Sequence, residues 1–150
     1  MFIMISQSPR ELLDPYHSLP SIRLDVTHTN DVGYLIREKF SIIENDEAIG
    51  YGNLVSEVVG ESRFAHFDGI EVEERKRGRG IGLATYLLAI EMSHSRGYDF
   101  QTQNYELTTY SKKVWERLAE KAVAESIEAF TPSPRLNGRF VGKYRVPVER

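Results

Sequence analysis

Residues 72–92 read VEERKRGRGIGLATYLLAIEM, and this stretch changes character twice. It starts as the end of an apolar strand, becomes a loop of Arg, Lys and Gly, and then runs into an almost wholly apolar helical segment. Gly78, Gly80 and Gly82 alternate with Arg79 and Ile81. Glycines this close together allow the backbone a positive φ or a near approach to a ligand. The loop opens a helix, whose first turn has unpaired N–H groups and the positive end of the helix dipole. Phosphate binds in such places. Arg75, Lys76, Arg77 and Arg79 add positive charge beside it. Strand, glycine loop and helix in this order form a design for holding a pyrophosphate. Two other readings of a basic, glycine-rich run stay open at this level: a solvated turn, and a nucleic-acid contact or localisation patch.

The rest of the composition narrows the choice. A chain of 150 residues is expected to be a single domain, 1–150, with a real core. Its net charge of −3 contrasts with the basic loop and favours a small anionic ligand over a long polyanion, so nucleic acid is not the expected partner. The absence of cysteine excludes disulfides, a thiol nucleophile and thiolate metal sites. His17, His28, His66 and His94 are scattered without zinc spacing, and no metal is expected. MFIMIS is too short for a secretion signal and no run is long enough to span a membrane, so the expected location is cytoplasmic.

Outward from the loop, the pattern is mostly strand. Ile22, Leu24 and Val26 alternate with polar residues, predicting a strand over 22–28, and Thr27 to Gly33 reads as polar loop. Strands follow over 34–44, 47–59 and 63–72, with Asn45-Asp46 and Gly60-Glu61-Ser62 as turns. Gly50 and Gly52 signal a bulge or a close backbone approach. The helix from Ile81 ends near Arg96, with Gly97 as its C-terminal cap. A short strand at 98–103 returns parallel to 63–72. Thr108 or Thr109 caps a second helix that buries Val114, Trp115 and Leu118. Residues 122–130 extend that helix or form a strand, with strand favoured; 131–138 is loop and 139–148 a last strand. Ser8-Pro9 and Asp14-Pro15 bracket a short N-terminal helix.

Arg77-Gly78-Arg79-Gly80-Ile81-Gly82 resembles the R/Q-x-x-G-x-G/A signature of the GNAT superfamily of N-acetyltransferases, with Arg77, Gly80 and Gly82 in the defining places. Ile70 and Val72 match the apolar pair that ends the family's preceding strand, and the resemblance covers about residues 47–118. It implies an α+β (α/β) fold: a central mixed, mostly antiparallel sheet of six to seven strands, a β-α-β coenzyme-binding unit and flanking helices. The chain departs from the family between its first two strands, where 28–34 leaves no room for the two helices that wall the acceptor cleft.

The resemblance further implies acetyl-CoA as cosubstrate, with its pyrophosphate at 77–82. Its pantetheine arm pairs as an extra strand with the backbone of 63–72, beside the end of the 98–103 strand. The coenzyme set is Ile70, Glu71, Val72, Arg77, Gly78, Arg79, Gly80, Ile81, Gly82, Leu83 and, for the pantetheine, Asn104. The side chain of Glu71 is expected in solvent. His66 stands eleven residues before Arg77, where several members carry a Glu or His base. An imidazole accepts a proton at working pH. Asp68, two residues on and on the same face, raises the basicity of His66 or relays its proton. Trp115 occupies the place of the family's acidic Tyr and Ser111 that of its Ala, leaving Tyr110 and Tyr105 as substitutes for the acid. The expected acceptor is a primary amine of a small molecule, peptide or protein, and a homodimer is compatible with the sequence. The competing expectation is a non-catalytic acyl-CoA-binding or interaction module that contacts protein or nucleic acid through 75–79.

Overall fold

Two-residue alternation folds the first half of the chain into a meander. The computed structural model describes residues 19–103 and 106–148; the expected helix at 8–15, Asn104 and Tyr105 lie outside the described residues. The strands are β1 (Arg23–Asp31), β2 (Leu35–Glu44), β3 (Glu47–Val59) and β4 (Ser62–Val72), each antiparallel to the next. The 3-10 turn Glu74–Lys76 leads to helix α1 (Ile81–Ser95) and strand β5 (Asp99–Gln101); helix α2 (Thr109–Glu120), β6 (Glu125–Pro132) and β7 (Phe140–Val146) follow. The seven strands form one sheet in the order β1-β2-β3-β4-β5-β7-β6, in which only the β4–β5 pair is parallel. This is the mostly antiparallel α+β sheet with a β-α-β unit expected from the sequence.

β1 is longer than its apolar alternation implied and runs on to Asp31. The polar residues Thr27–Asp31 can be strand because β1 is an edge strand that is exposed over most of its length. Only residues 32–34 then connect β1 to β2, and no helix intervenes. β6 begins at Glu125 rather than 122, because Ala122 takes a φ of 58° in the turn that ends α2. β5 is three residues long, shorter than the 98–103 expected.

The helices end where the chemistry of their caps dictates. Gly97 has a φ of +81°, its N–H reaches the His94 carbonyl at 3.0 Å and the Tyr98 N–H reaches Ser93 at 2.9 Å, a Schellman motif. The Thr108 side chain accepts from the Ser111 N–H at 3.1 Å and so starts α2. α1 buries residues on every side and covers one face of the sheet. There Phe67 of β4 packs against Phe40, Tyr86 and Phe100 at ring-centroid distances of 5.8, 4.9 and 5.3 Å. Trp115 of α2 stacks on Phe100 at 5.6 Å and is core, not an exposed platform. Buried Glu38 of β2 bonds both terminal nitrogens of Arg96, tying the end of α1 to the sheet. No helix among the described residues is long and apolar enough to cross a membrane.

Candidate functional site

β4 and β5 share two paired positions, Phe64↔Asp99 and Ala65↔Phe100. Beyond them β5 turns to β7, with Gln101 opposite Arg145 and the Thr102 N–H bonded to the Tyr144 carbonyl. The β5-facing edge of β4 from His66 to Val72 is thus left without a strand partner among the described residues. An unpaired edge of this length accepts an extended chain. It ends in the glycine loop. Gly78 (φ +78°) and Gly80 (φ +83°) occupy the left-handed region, and Gly80 is the N-cap of α1. Ile81, Gly82 and Leu83 form its first turn and are buried, while Ile70 and Val72 pack at the margin of the core. The Tyr51 hydroxyl donates to Glu71 Oε2 at 2.7 Å, on the side-chain face away from α1, so only the backbone of Glu71 faces the gap.

Most of the loop's positive charges are paired with carboxylates. Buried Glu44, the last residue of β2, takes Lys76 Nζ at 3.0 Å and Arg79 at 3.0 and 3.2 Å. Arg75 bonds Glu73 at 2.8 Å and also Glu47. Arg77 instead donates from Nε to the Val72 carbonyl at 2.9 Å, which presses the start of the loop onto the end of β4. The β2–β3 hairpin therefore supplies carboxylates that hold the loop in place. Nothing within residues 72–92 signals this, since the partners lie 32 and 35 residues upstream.

Lys76 first, and then Arg79, hold the Glu44 carboxyl below its ordinary value of 4.5. A carboxylate with a depressed folded-state pKa contributes stability that is present above the unfolded value and lost as pH falls through the folded one. Glu44→Gln is accordingly expected to be less stable than the parent protein at pH 7, with the difference shrinking to nothing as the pH drops below about 4.5. Urea midpoints measured from pH 7 to pH 3 check this; a constant gap across the range would exclude the clamp.

His66 is buried on β4 and lies opposite Val55 of β3, on the face away from α1. Its Nε2 meets Glu57 Oε2 at 2.9 Å, its Nδ1 lies 3.3 Å from the Phe67 carbonyl, and its ring stacks on Phe64. The carboxylate that orients the ring is Glu57, where the sequence pointed to Asp68. Asp68 accepts from Arg37 Nη1 at 3.2 Å, and its carbonyl accepts from Asn53 at 3.4 Å, beside a bulge that Gly69 opens with φ +93°. The bulge redirects the strand between residues 67 and 70, which period-two counting from His66 to Asp68 does not anticipate. Glu57 could have been found from the hairpin register: with Val55 opposite His66, Glu57 is its diagonal neighbour on the same face.

Tyr110, in the first turn of α2, brings its hydroxyl to the first turn of α1. A Cβ built on Gly82 would stand 2.0 Å from that oxygen. Burial against the two helices raises the phenol above its ordinary value of 10.0, with the Leu83 amide working in the opposite direction. The hydroxyl thus sits at the glycine loop rather than near the middle of β4. Beneath it Tyr86 is fully enclosed, its phenol pushed up to about 12 by burial. Trp115 packs edge-on against this second tyrosine at 5.9 Å, and the Ser111 hydroxyl accepts from Thr108 at 3.2 Å.

The fold is that of the GNAT acetyltransferases. Solved structures that it resembles include the NatC complex bound to Gag peptide and CoA (15% identity, 74% of this chain and 71% of that one, TM-score 0.56). Nourseothricin acetyltransferase matches over 97% of this chain and 96% of its own at 16% identity and a TM-score of 0.52. The Escherichia coli ribosomal-protein-S18-alanine N-acetyltransferase matches at 14% identity, 80% and 73% coverage and a TM-score of 0.52. No protein-family profile matches the sequence, and no curated protein matches it.

Proposed function

We propose that this protein is an acetyl-CoA-dependent N-acetyltransferase that moves the acetyl group directly to a primary amine. The observation that carries the reading is the parting of β4 from β5 immediately before a glycine-capped helix N-terminus. The backbone amides of 78–83 and the Arg77 guanidinium bind the coenzyme's pyrophosphate, and the free edge of β4 pairs with the pantetheine arm. This leads the thioester along β4 toward His66. The His66 Nε2–H stays with Glu57 at 2.9 Å, and the ring takes the proton of the attacking amine, directly or through one water, on Nδ1 once Nδ1 turns from the longer, 3.3 Å contact with the Phe67 carbonyl. The amine nitrogen bonds to the acetyl carbon, the C–S bond breaks, and the coenzyme thiolate leaves and is protonated by water. Among the described residues the short 32–34 connection carries neither of the two helices that the family places between its first strands, which favours a peptide, protein or bulky amine.

Calorimetric titration with acetyl-CoA and free coenzyme A, beside a thiol-release assay with and without mixed amines and peptides, tests this. Micromolar binding with amine-dependent thiol release is expected. Binding without release across a broad acceptor panel would favour a non-catalytic acyl-CoA module, and no binding would end the coenzyme assignment.

A further inference from the structure

Acetyl transfer builds negative charge on the acetyl oxygen, and a donor aimed at that oxygen lowers the barrier. β4 and β5 part directly after the Ala65↔Phe100 pair, so His66 and Gln101 are the first residues on the two sides of the gap. Phe100 packs against Phe67 in the core under α1. Gln101, the next residue along the strand, therefore points to the opposite face, which is the face of His66. Gln101 is only 8% exposed, yet its side-chain amide makes no hydrogen bond among the described residues. No fully enclosed side-chain nitrogen or oxygen among them lacks a partner, so the part of Gln101 that stays accessible is the amide itself. Arg145, opposite Gln101 on β7, turns to Glu125 Oε1 at 2.7 Å and leaves the amide alone. A glutamine so nearly buried ordinarily bonds a neighbour, and here the amide is kept for something that enters the gap.

We propose that Gln101 is the oxyanion donor: its side-chain N–H bonds the acetyl oxygen of the coenzyme thioester, across the gap from His66. The inference rests on the coenzyme reading of the gap and adds a catalytic residue to it. The closed end of the gap stops the thioester between the two side chains. The attacking nitrogen adds to the acetyl carbon, and the carbonyl π pair moves onto oxygen, where the Gln101 N–H holds it. The pair returns as the C–S bond breaks and the coenzyme thiolate leaves to take a proton from water, while His66 holds the amine proton. Gln101 gives up no proton, so a neutral amide suffices.

The test uses the full chain with two probes, free coenzyme A and acetyl-CoA carrying a ¹³C carbonyl. Gln101→Met keeps the length of the side chain without its N–H. In infrared difference spectra the carbonyl stretch of bound acetyl-CoA should lie at lower frequency in the parent than in this variant. Acetyl-CoA affinity should fall roughly two- to ten-fold in Gln101→Met, the worth of one neutral hydrogen bond, with coenzyme A affinity unchanged. Gln101→Glu separates a donor from a mere filler of space: ionised, it has only acceptors, and it should lose the same shift and the same affinity. A carbonyl frequency in either variant equal to that of the parent, or equal losses of affinity for the two probes, would overturn the oxyanion donor while leaving the coenzyme site intact. No binding of either probe by the parent would overturn both.

Discussion

His66→Gln is expected to lower the turnover of amine acetylation on the order of 10²- to 10⁴-fold, the usual contribution of a positioned general base, with coenzyme A affinity unchanged. Glutamine is the informative replacement because its amide can still meet the Glu57 carboxylate, whereas alanine would leave that part-buried group without its partner. The loss should fall on kcat, because the ring touches neither the glycine loop nor the first turn of α1. Glu57→Gln should lose less, since it removes the carboxylate that orients the ring but keeps the ring itself. As Glu57 acts through His66, the double variant should be no slower than His66→Gln alone. Steady-state rates together with calorimetric coenzyme affinities decide the matter. Full turnover by His66→Gln would take the base away from this residue, and additive losses in the double variant would separate Glu57 from it.

What could be read from the chain follows the range of the forces involved. The glycine loop, the Gly97 stop, the Thr108 start and the Asn45-Asp46 turn depend on backbone conformations a few residues long, and each lies where its residues place it. The apolar helix from Ile81 was equally plain, because a segment without a polar face has to be buried. The site's partners were not legible, because they depend on register and tertiary approach. Glu57 meets His66 across a hairpin, Glu44 reaches back over the β2–β3 turn to Lys76 and Arg79, and Tyr110 meets Gly82 only when two helices converge. β1 outruns its apolar alternation for a different reason: its last residues are polar on both faces, and an edge strand with little to cover needs no apolar signal.

Gly50→Ala should couple fold and site most strongly. A Cβ at Gly50 would lie 2.4 Å from the Glu71 carbonyl oxygen and 3.2 Å from the Val72 Cα, both backbone atoms, and 3.0 Å from Ile42 Cδ1. Backbone in a paired strand cannot rotate away, so β4 itself has to shift. The cost is expected near the upper end of the overpacking range, about 3 kcal/mol. The part of β4 that shifts is the part that matters, since Glu71 and Val72 precede the loop and the Val72 carbonyl receives Arg77. Coenzyme A affinity should therefore fall together with thermal stability. Gly60→Ala serves as the control. Gly60, unlike Gly50, has a positive φ (+61°), and no atom lies within 4 Å of its added Cβ. Its penalty of ~1–2 kcal/mol is purely conformational and arises at the far end of β4. That variant should melt earlier yet bind coenzyme A like the parent at temperatures where it is folded. If Gly50→Ala loses stability but keeps its affinity, the end of β4 does not govern the loop. If the two variants lose affinity alike, the effect belongs to general destabilisation and not to the approach of β3 against β4.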